Sequence, residues 1–262
     1  MARTDVSICI ATWNKAGYLR QTLKSIREQD TKLNYEIVVI DDGSRDSTKR
    51  VCQDFDVVYR YLDRPYLCGS AVARNMACDI AKGRVLIMQS DDVVHMPASH
   101  SLSGCKWLYD NKVAGSISCE NLKSTIDKLY EVPDKSVHFV SVLNVKYNIS
   151  NPQSSRTLRW YVNWWKRAYP RFFLGSMSKE DFWAVGGNDE DFKKPGYEDT
   201  YLGRLLTGVY DIYYRDDIIA YHQSHPKRIS GHTKSKVVYN RKMRHVKGKI
   251  RKLRQEIYGE EE

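Results

Sequence analysis

What the chain lacks narrows its reading first. No apolar run approaches the ~20 residues needed to cross a bilayer. The opening Met-Ala-Arg-Thr-Asp enters a predicted strand almost at once, which leaves no room for a signal peptide. The expectation is a soluble, cytoplasmic protein, with peripheral contact at the inner membrane face left open. Six cysteines (Cys9, Cys52, Cys68, Cys78, Cys105, Cys119) show no C-x-x-C spacing and read as reduced, mostly buried thiols. There is no internal repeat and no low-complexity segment. The first strand is not followed by a Gly-rich, Lys-containing phosphate loop: Thr12-Trp-Asn-Lys-Ala-Gly17 stands there instead, which argues against a nucleotidyltransferase. The body also lacks a charge bias. The first 217 residues carry 30 Lys+Arg against 28 Asp+Glu, whereas the remainder carries 12 against 4. The basicity of the chain therefore belongs to its C-terminal end and speaks of a partner surface rather than of the fold.

What is present is an alternation. Val6–Thr12, Glu36–Ile40, Val57–Leu62 and Arg84–Met88 read as buried strands. Lys15–Gln29, Asp46–Asp54 (capped by Ser44) and Ser70–Ala81 read as the helices between them. This order predicts an α/β fold with a mostly parallel sheet flanked by helices. Two acidic pairs, Asp41-Asp42 and Asp91-Asp92, end the second and fourth strands. Ligands of such sheets bind beyond the carboxyl ends of the strands. After His95 the pattern weakens, and residues 115–160 fit either strands or a long ordered loop. Helices are expected over Met177–Val185 and Thr200–Thr207, and short strands over Asp211–Tyr214 and Ile218–Tyr221. In the tail, Tyr239, Met243, Val246, Ile250, Leu253 and Ile257 form a heptad seam, predicting one basic helix of about 20 residues. Such a helix suits docking by its seam, homodimerisation, or contact with nucleic acid or an anionic membrane.

An ordered set of motifs follows this frame. It comprises Thr12-Trp-Asn14, Asp41-Asp-Gly-Ser44, Gly69-Ser-Ala-Val-Ala-Arg-Asn75, Ser90-Asp-Asp92, Phe173-Leu-Gly-Ser176, Gly186-Gly187 and Gly196-Tyr-Glu-Asp199. The chain resembles a family 2 glycosyltransferase of the GT-A fold over most of residues 5–225. Its second half resembles a galactosyltransferase C-terminal region, where a Gly-Gly pair is followed by Gly-aromatic-Glu-Asp and then His-x-x-His. The implied organisation is a GT-A domain over 1–225, with a nucleotide-binding half (1–110) and an acceptor half (111–225), and a basic helical extension over 226–262.

The resemblance implies that Asp41 and Asp42 hold the nucleotide base, that Arg74 faces the nucleotide, and that Thr12 and Asn14 line the donor site. A carboxylate accepting from a uracil N–H would favour UDP. Asp91 and Asp92 are the best metal candidates, because Mg²⁺ or Mn²⁺ prefers carboxylates and phosphate oxygens. Gln89 stands two residues before Asp91, where many members carry an Asp; one register gives Asp91 to the ribose and Asp92 to the metal, and the other would need Gln89 and argue against metal dependence. His222 and His225 form a ligand pair for metal or diphosphate. Direct displacement at an anomeric carbon needs a carboxylate to take the acceptor proton. By resemblance Asp199 is that base in an inverting reaction, Glu198 orients a substrate, and Gly175 and Ser176 shape the acceptor site. Trp160, Trp164 and Trp165, interleaved with Arg156, Arg159, Lys166, Arg167 and Arg171, read equally as core or as a stacking wall for a glycan or polyanionic acceptor. Two alternatives stand beside this reading: a transferase acting on modified bases in DNA, and a nucleic-acid-binding protein that retains the fold.

Overall fold

A computed structural model of the chain describes residues 3–64, 69–95, 124–140, 142–146, 156–161, 173–215, 217–218, 220–223, 225 and 232–259. Its central sheet has seven strands, in the order β10-β6-β9-β4-β1-β2-β3. These are β1 (Val6–Thr12), β2 (Tyr35–Asp41), β3 (Val58–Tyr61), β4 (Val85–Ser90), β6 (Ser136–Phe139), β9 (Leu174–Ser178) and β10 (Asp211–Tyr214). β1 to β4 run parallel, and β9 is inserted antiparallel between β4 and β6. A second sheet, in the order β5-β11-β7-β8, joins β5 (Val93–His95), β11 (Ala220–Gln223), β7 (Val142–Lys146) and β8 (Arg156–Tyr161).

The parallel strands are apolar on both faces because both faces are covered. Ile8, Ile10, Ile37, Val39 and Ile87 pack under α1 (Ala16–Arg27), α2 (Thr48–Asp54) and α4 (Thr125–Tyr130). Their neighbours Cys9, Val38, Ile40, Leu86 and Met88 point the other way. They pack against α3 (Ala71–Ile80), α5 (Lys179–Ala184) and α6 (Glu198–Val209). Strand side chains alternate in direction, so a strand between two helical layers must be apolar at every position. Cys9, Cys52 and Cys78 are buried free thiols within these layers.

The tail departs from expectation. In place of one helix there are two, α7 (His232–Met243) and α8 (Val246–Tyr258), separated by a turn in which His245 N donates to Lys242 O over 3.1 Å. Both halves pack on α6, and α7 also reaches the 189–194 segment. In α7, Ser235 Oγ donates to Lys194 O (2.7 Å), and Lys242 Nζ lies 2.7 Å from both Asp189 Oδ2 and Asp191 Oδ2. In α8, Val246 and Leu253 are buried in the core cluster that holds Leu202, Leu205, Leu206 and Val209, and Tyr258 Oη donates to Val209 O (3.0 Å). Tyr239, Met243, Ile250 and Ile257 pack beside them. The seam is thus covered within the chain, the first of the uses its pattern suits. Lys247, Lys249, Arg251, Lys252 and Arg254 remain exposed. No described helix is long and apolar enough to cross a membrane.

Candidate functional site

The site gathers at the carboxyl edge of the parallel strands. Asp42 follows β2, and Asp91-Asp92 forms the turn between β4 and β5. β5 then pairs antiparallel with β11, setting His222 opposite Val93, one residue from Asp92. Gln223 N donates to Asp92 O (2.8 Å), and Gln223 Nε2 donates to Tyr18 O (3.1 Å), so the end of β11 is tied to both the acidic turn and α1. Thr22 Oγ1 holds the turn from the other side, donating to Asp91 O (3.0 Å). His222 Nε2 consequently lies 3.5 Å from Asp92 Oδ1, and His225 Nε2 lies 3.0 Å from Asp92 Oδ2. Phe173 and Tyr18 meet the two imidazoles edge-on, at 5.5 and 5.7 Å between centroids.

One oxygen of Asp92 and one nitrogen from each histidine lie within 4.8 Å of one another. Asp92 Oδ1 is buried and makes no hydrogen bond among the described residues. A carboxylate with a spare buried lone pair, flanked by two imidazoles, is a donor set that fits a divalent transition ion. Asp91 does not join that cluster. Its Oδ1 meets Lys15 Nζ at 3.0 Å, and the same ammonium lies 2.5 Å from Asp92 Oδ2. Burial works to raise the Asp92 carboxyl, but Lys15 and the two imidazoles outweigh it and hold the group well below the usual carboxylate range. In Asp91 burial wins, and the neighbouring Asp92 charge adds to the upward shift. Gln89 is turned away from the cluster: its Nε2 donates to Val93 O (2.9 Å), and its Oε1 lies 2.7 Å from His95 Nε2. Burial pushes His95 down to about 4, so this imidazole is neutral.

The nucleotide candidates line the adjoining strand ends. Thr12 is buried at the end of β1. Asn14 adopts φ +49°, a left-handed conformation that asparagine tolerates. It bridges two loops, with its N–H donating to Ser44 Oγ (2.8 Å) and its Oδ1 accepting from Arg45 N (2.7 Å). Ser44 is therefore a bridge between loops rather than the cap of α2; Asp46 Oδ1 accepts from Thr48 N (3.1 Å) at that helix start. Asp41 closes its own turn, with Oδ1 accepting from Ser44 N and Oδ2 from Tyr59 Oη, both at 2.8 Å. Asp42 Oδ1 lies 3.3 Å from Arg64 Nη1. Burial pushes the Asp42 carboxyl up to about 6, opposed by Arg64.

Glu198-Asp199 begins α6. The chain reaches it through Gly196 (φ +100°) and Tyr197 (φ +72°), two consecutive left-handed residues that turn it sharply into the helix. Upstream, Gly187 (φ +64°) seats the 186–190 turn on α3, where an added Cβ would lie 3.0 Å from Asn75 Oδ1. Asn75 Oδ1 accepts from Asn188 N (2.8 Å), and Asn75 Nδ2 donates to Asn188 O and Glu190 Oε1, both at 2.9 Å. That anchor brings Glu198 against the first turns of α3: Ser70 Oγ donates to Glu198 Oε1 (2.7 Å), and Arg74 Nη1 lies 3.7 Å from the same oxygen. Burial raises the Glu198 carboxyl, and the Asp199 charge adds to the shift. Asp199 is half-buried, and its Oδ1 accepts from Thr200 N (2.7 Å).

Other expectations fall differently. Gly175 and Ser176 lie in the middle of the sheet, paired with Met88 and Ile87 of β4. Ser176 is fully buried, and its hydroxyl donates to Leu129 O (2.6 Å). They serve the core, not an acceptor surface, because a strand between two others has no open edge. Trp164 and Trp165 lie outside the described residues. Lys15, Ser70 and Arg64 were not foreseen. Lys15 carried a signal, as the one cation placed directly after the first strand's Thr-Trp-Asn.

Comparison with known proteins adds an independent finding. The model of glycosyl transferase family 2 matches residues 7–173. A validoxylamine A glucosyltransferase of Streptomyces hygroscopicus subsp. jinggangensis is 28% identical over 231 residues, 77% of this chain and 51% of that protein. An Escherichia coli chondroitin synthase is 23% identical over 84% of this chain and 35% of its own length. The chain thus spans about half the length, or less, of these curated relatives. Among solved structures, the mannosyltransferase PcManGT of Pyrobaculum calidifontis, in complex with GDP-Man and Mn²⁺, superposes with a TM-score of 0.54. It is 18% identical and covers 87% of this chain and 59% of its own. Staphylococcus aureus TarS 1–349 in complex with UDP-GlcNAc gives a TM-score of 0.55 at 16% identity, over 94% and 66%. At such identities these two likenesses speak for the fold.

Proposed function

This chain belongs to glycosyl transferase family 2, and from that premise we propose that it transfers a sugar from a UDP-linked donor to an acceptor hydroxyl with inversion, in a metal-dependent reaction. The observation that carries the reading is the meeting of Asp92 with His222 and His225, brought together by the β5–β11 pairing at the edge where nucleotides bind in such sheets. Those three residues would hold the ion. An oxygen ligand with two imidazoles suits Mn²⁺ better than Mg²⁺, which prefers oxygen alone. When bound, such an ion offsets charge on the departing diphosphate.

The chain's own residues do the rest. Asp42 would meet the nucleotide base at the end of β2, Asp41 holds the turn beside it, and the Arg74 guanidinium would meet the donor. Asp199 accepts the proton of the acceptor hydroxyl. As that proton leaves, the hydroxyl oxygen bonds to the anomeric carbon, and the carbon–phosphate-oxygen bond breaks with its electron pair going to the nucleoside diphosphate. Attack from the face opposite the leaving group inverts the centre. Glu198, fixed by Ser70 and Arg74, positions the base beside it. Asp199 is only half-buried at the start of α6, which leaves part of its carboxylate open as an acceptor hydroxyl would need.

A donor panel tests this. The protein is incubated with UDP- and GDP-linked hexoses and Mn²⁺, and the released nucleotide is identified. Release of UDP from a UDP-sugar is expected. Release of pyrophosphate, or no turnover of any donor, would overturn the reading, and release of GDP alone would reassign the base.

A further inference from the structure

Lys15 is the cation already standing in the acidic cluster. It lies between β1 and α1, with its ammonium bridging Asp91 Oδ1 (3.0 Å) and Asp92 Oδ2 (2.5 Å). Asp92 Oδ2 is the same oxygen that faces His225 Nε2 at 3.0 Å. An ion held by Asp92, His222 and His225 would therefore sit beside this ammonium and draw on a carboxylate it already neutralises. Like charges that close disfavour each other strongly in a buried setting. The two acids are almost fully buried, at 8% and 3% side-chain exposure, whereas Lys15 is at 28%. The lysine has a route out, and its flexible four-carbon stem allows the ammonium to swing. To leave Asp92 without loss it needs another anion within reach, and a diphosphate bound at this strand edge is one.

We propose that Lys15 is a resident counter-ion that makes divalent-ion binding conditional on a nucleoside diphosphate: it holds Asp91-Asp92 in the metal-free protein and transfers to the diphosphate when donor and ion arrive. It is a positioning residue, and the inference rests on the Asp92–His222–His225 reading above. Two binding events linked through one movable charge must favour each other reciprocally.

The test measures Mn²⁺ affinity of the full chain by titration calorimetry, with and without whichever of UDP or GDP raises its melting temperature. In the wild type the nucleotide should tighten Mn²⁺ binding about tenfold or more. Lys15→Met should bind Mn²⁺ alone about tenfold more tightly than the wild type, and the nucleotide should then tighten Mn²⁺ binding by a smaller factor than it does in the wild type. His222→Ala should abolish the Mn²⁺ signal. Loss of binding in His222→Ala, with Lys15→Met indistinguishable from the wild type, overturns the counter-ion role and leaves the metal site standing. Mn²⁺ binding that ignores His222, or no binding at all, overturns the metal site and this inference with it. Lys15→Met leaves two buried acids without their cation, so thermal unfolding of Lys15→Gln supplies a second reading. Mn²⁺ should raise its melting temperature by more than it raises that of the wild type, and an equal rise counts against the proposal.

Discussion

Asp91-Asp92 and Glu198-Asp199 are both acidic pairs at turns into or out of the same domain core, yet their surroundings differ. At the first pair, one ammonium and two imidazoles converge, and Asp92 is held ionised in spite of being almost fully buried. At the second, the nearest cation among the described residues, Arg74, stands at 3.7 Å, burial dominates, and the Glu198 carboxyl rises. Beside it, Asp199 is left half-buried with one oxygen on its own helix start. Pairs of carboxyls whose environments push them apart are how a fold assigns different roles to one residue type. The first pair keeps negative charge beside the Lys15 ammonium. The second sets a partly open carboxylate beside a fixed neighbour.

The strongest way to break this contrast is to remove the cation holder. Asp92→Ala should abolish Mn²⁺-dependent donor binding, measured by calorimetry with and without the ion, and an unchanged donor affinity in both conditions would strip the first pair of its role. Asp199→Asn should leave donor affinity intact while lowering turnover by about 10²–10⁴, the usual worth of a positioned base. Near-wild-type turnover would make the two pairs equivalent. The smallest effect concerns a third acid. Asp42 has its carboxyl pushed up to about 6 by burial, above the ordinary 3.8. The folded protein therefore takes up this proton before the unfolded chain does, so the ionised group is a penalty above about pH 6 that fades as the pH falls toward 4. Asp42→Asn should stabilise the fold by roughly 1–3 kcal/mol near pH 8. That advantage should narrow as acid is added in parallel denaturant titrations. A gap independent of pH would show that Asp42 is not held in the way its burial implies.

Much of the first half was legible because its signals are local. Ile8, Ile10, Ile37 and Val39 announce buried strands through continuous apolar runs, and Leu19, Leu23 and Ile26 announce a helix by spacing. Asp41 and Asp91 mark strand ends where such runs stop. Later signals were weaker. Gly175 and Ser176 read as a loop that shapes a ligand site, but they form a core strand, because the insertion of β9 between β4 and β6 is a long-range pairing. The tail seam correctly marked the buried face. Its division into α7 and α8 lies outside any heptad count: both helices pack on α6, and only the turn between them lets α7 also reach the 189–194 segment.

From its residues alone, then, the chain determined its α/β alternation, the acids at its strand ends and the apolar face of its tail, since each depends on neighbours a few positions apart. Tertiary structure decided which of those acids acquire partners. His222 reaches Asp92 only through an antiparallel strand pair, Lys15 reaches both aspartates only because β1 and β4 are adjacent, and Glu198 meets Ser70 only through the Asn75 anchor. Charge–charge and hydrogen-bond energies fall off over a few ångströms, so the chemistry of each carboxylate was set by the fold that surrounds it.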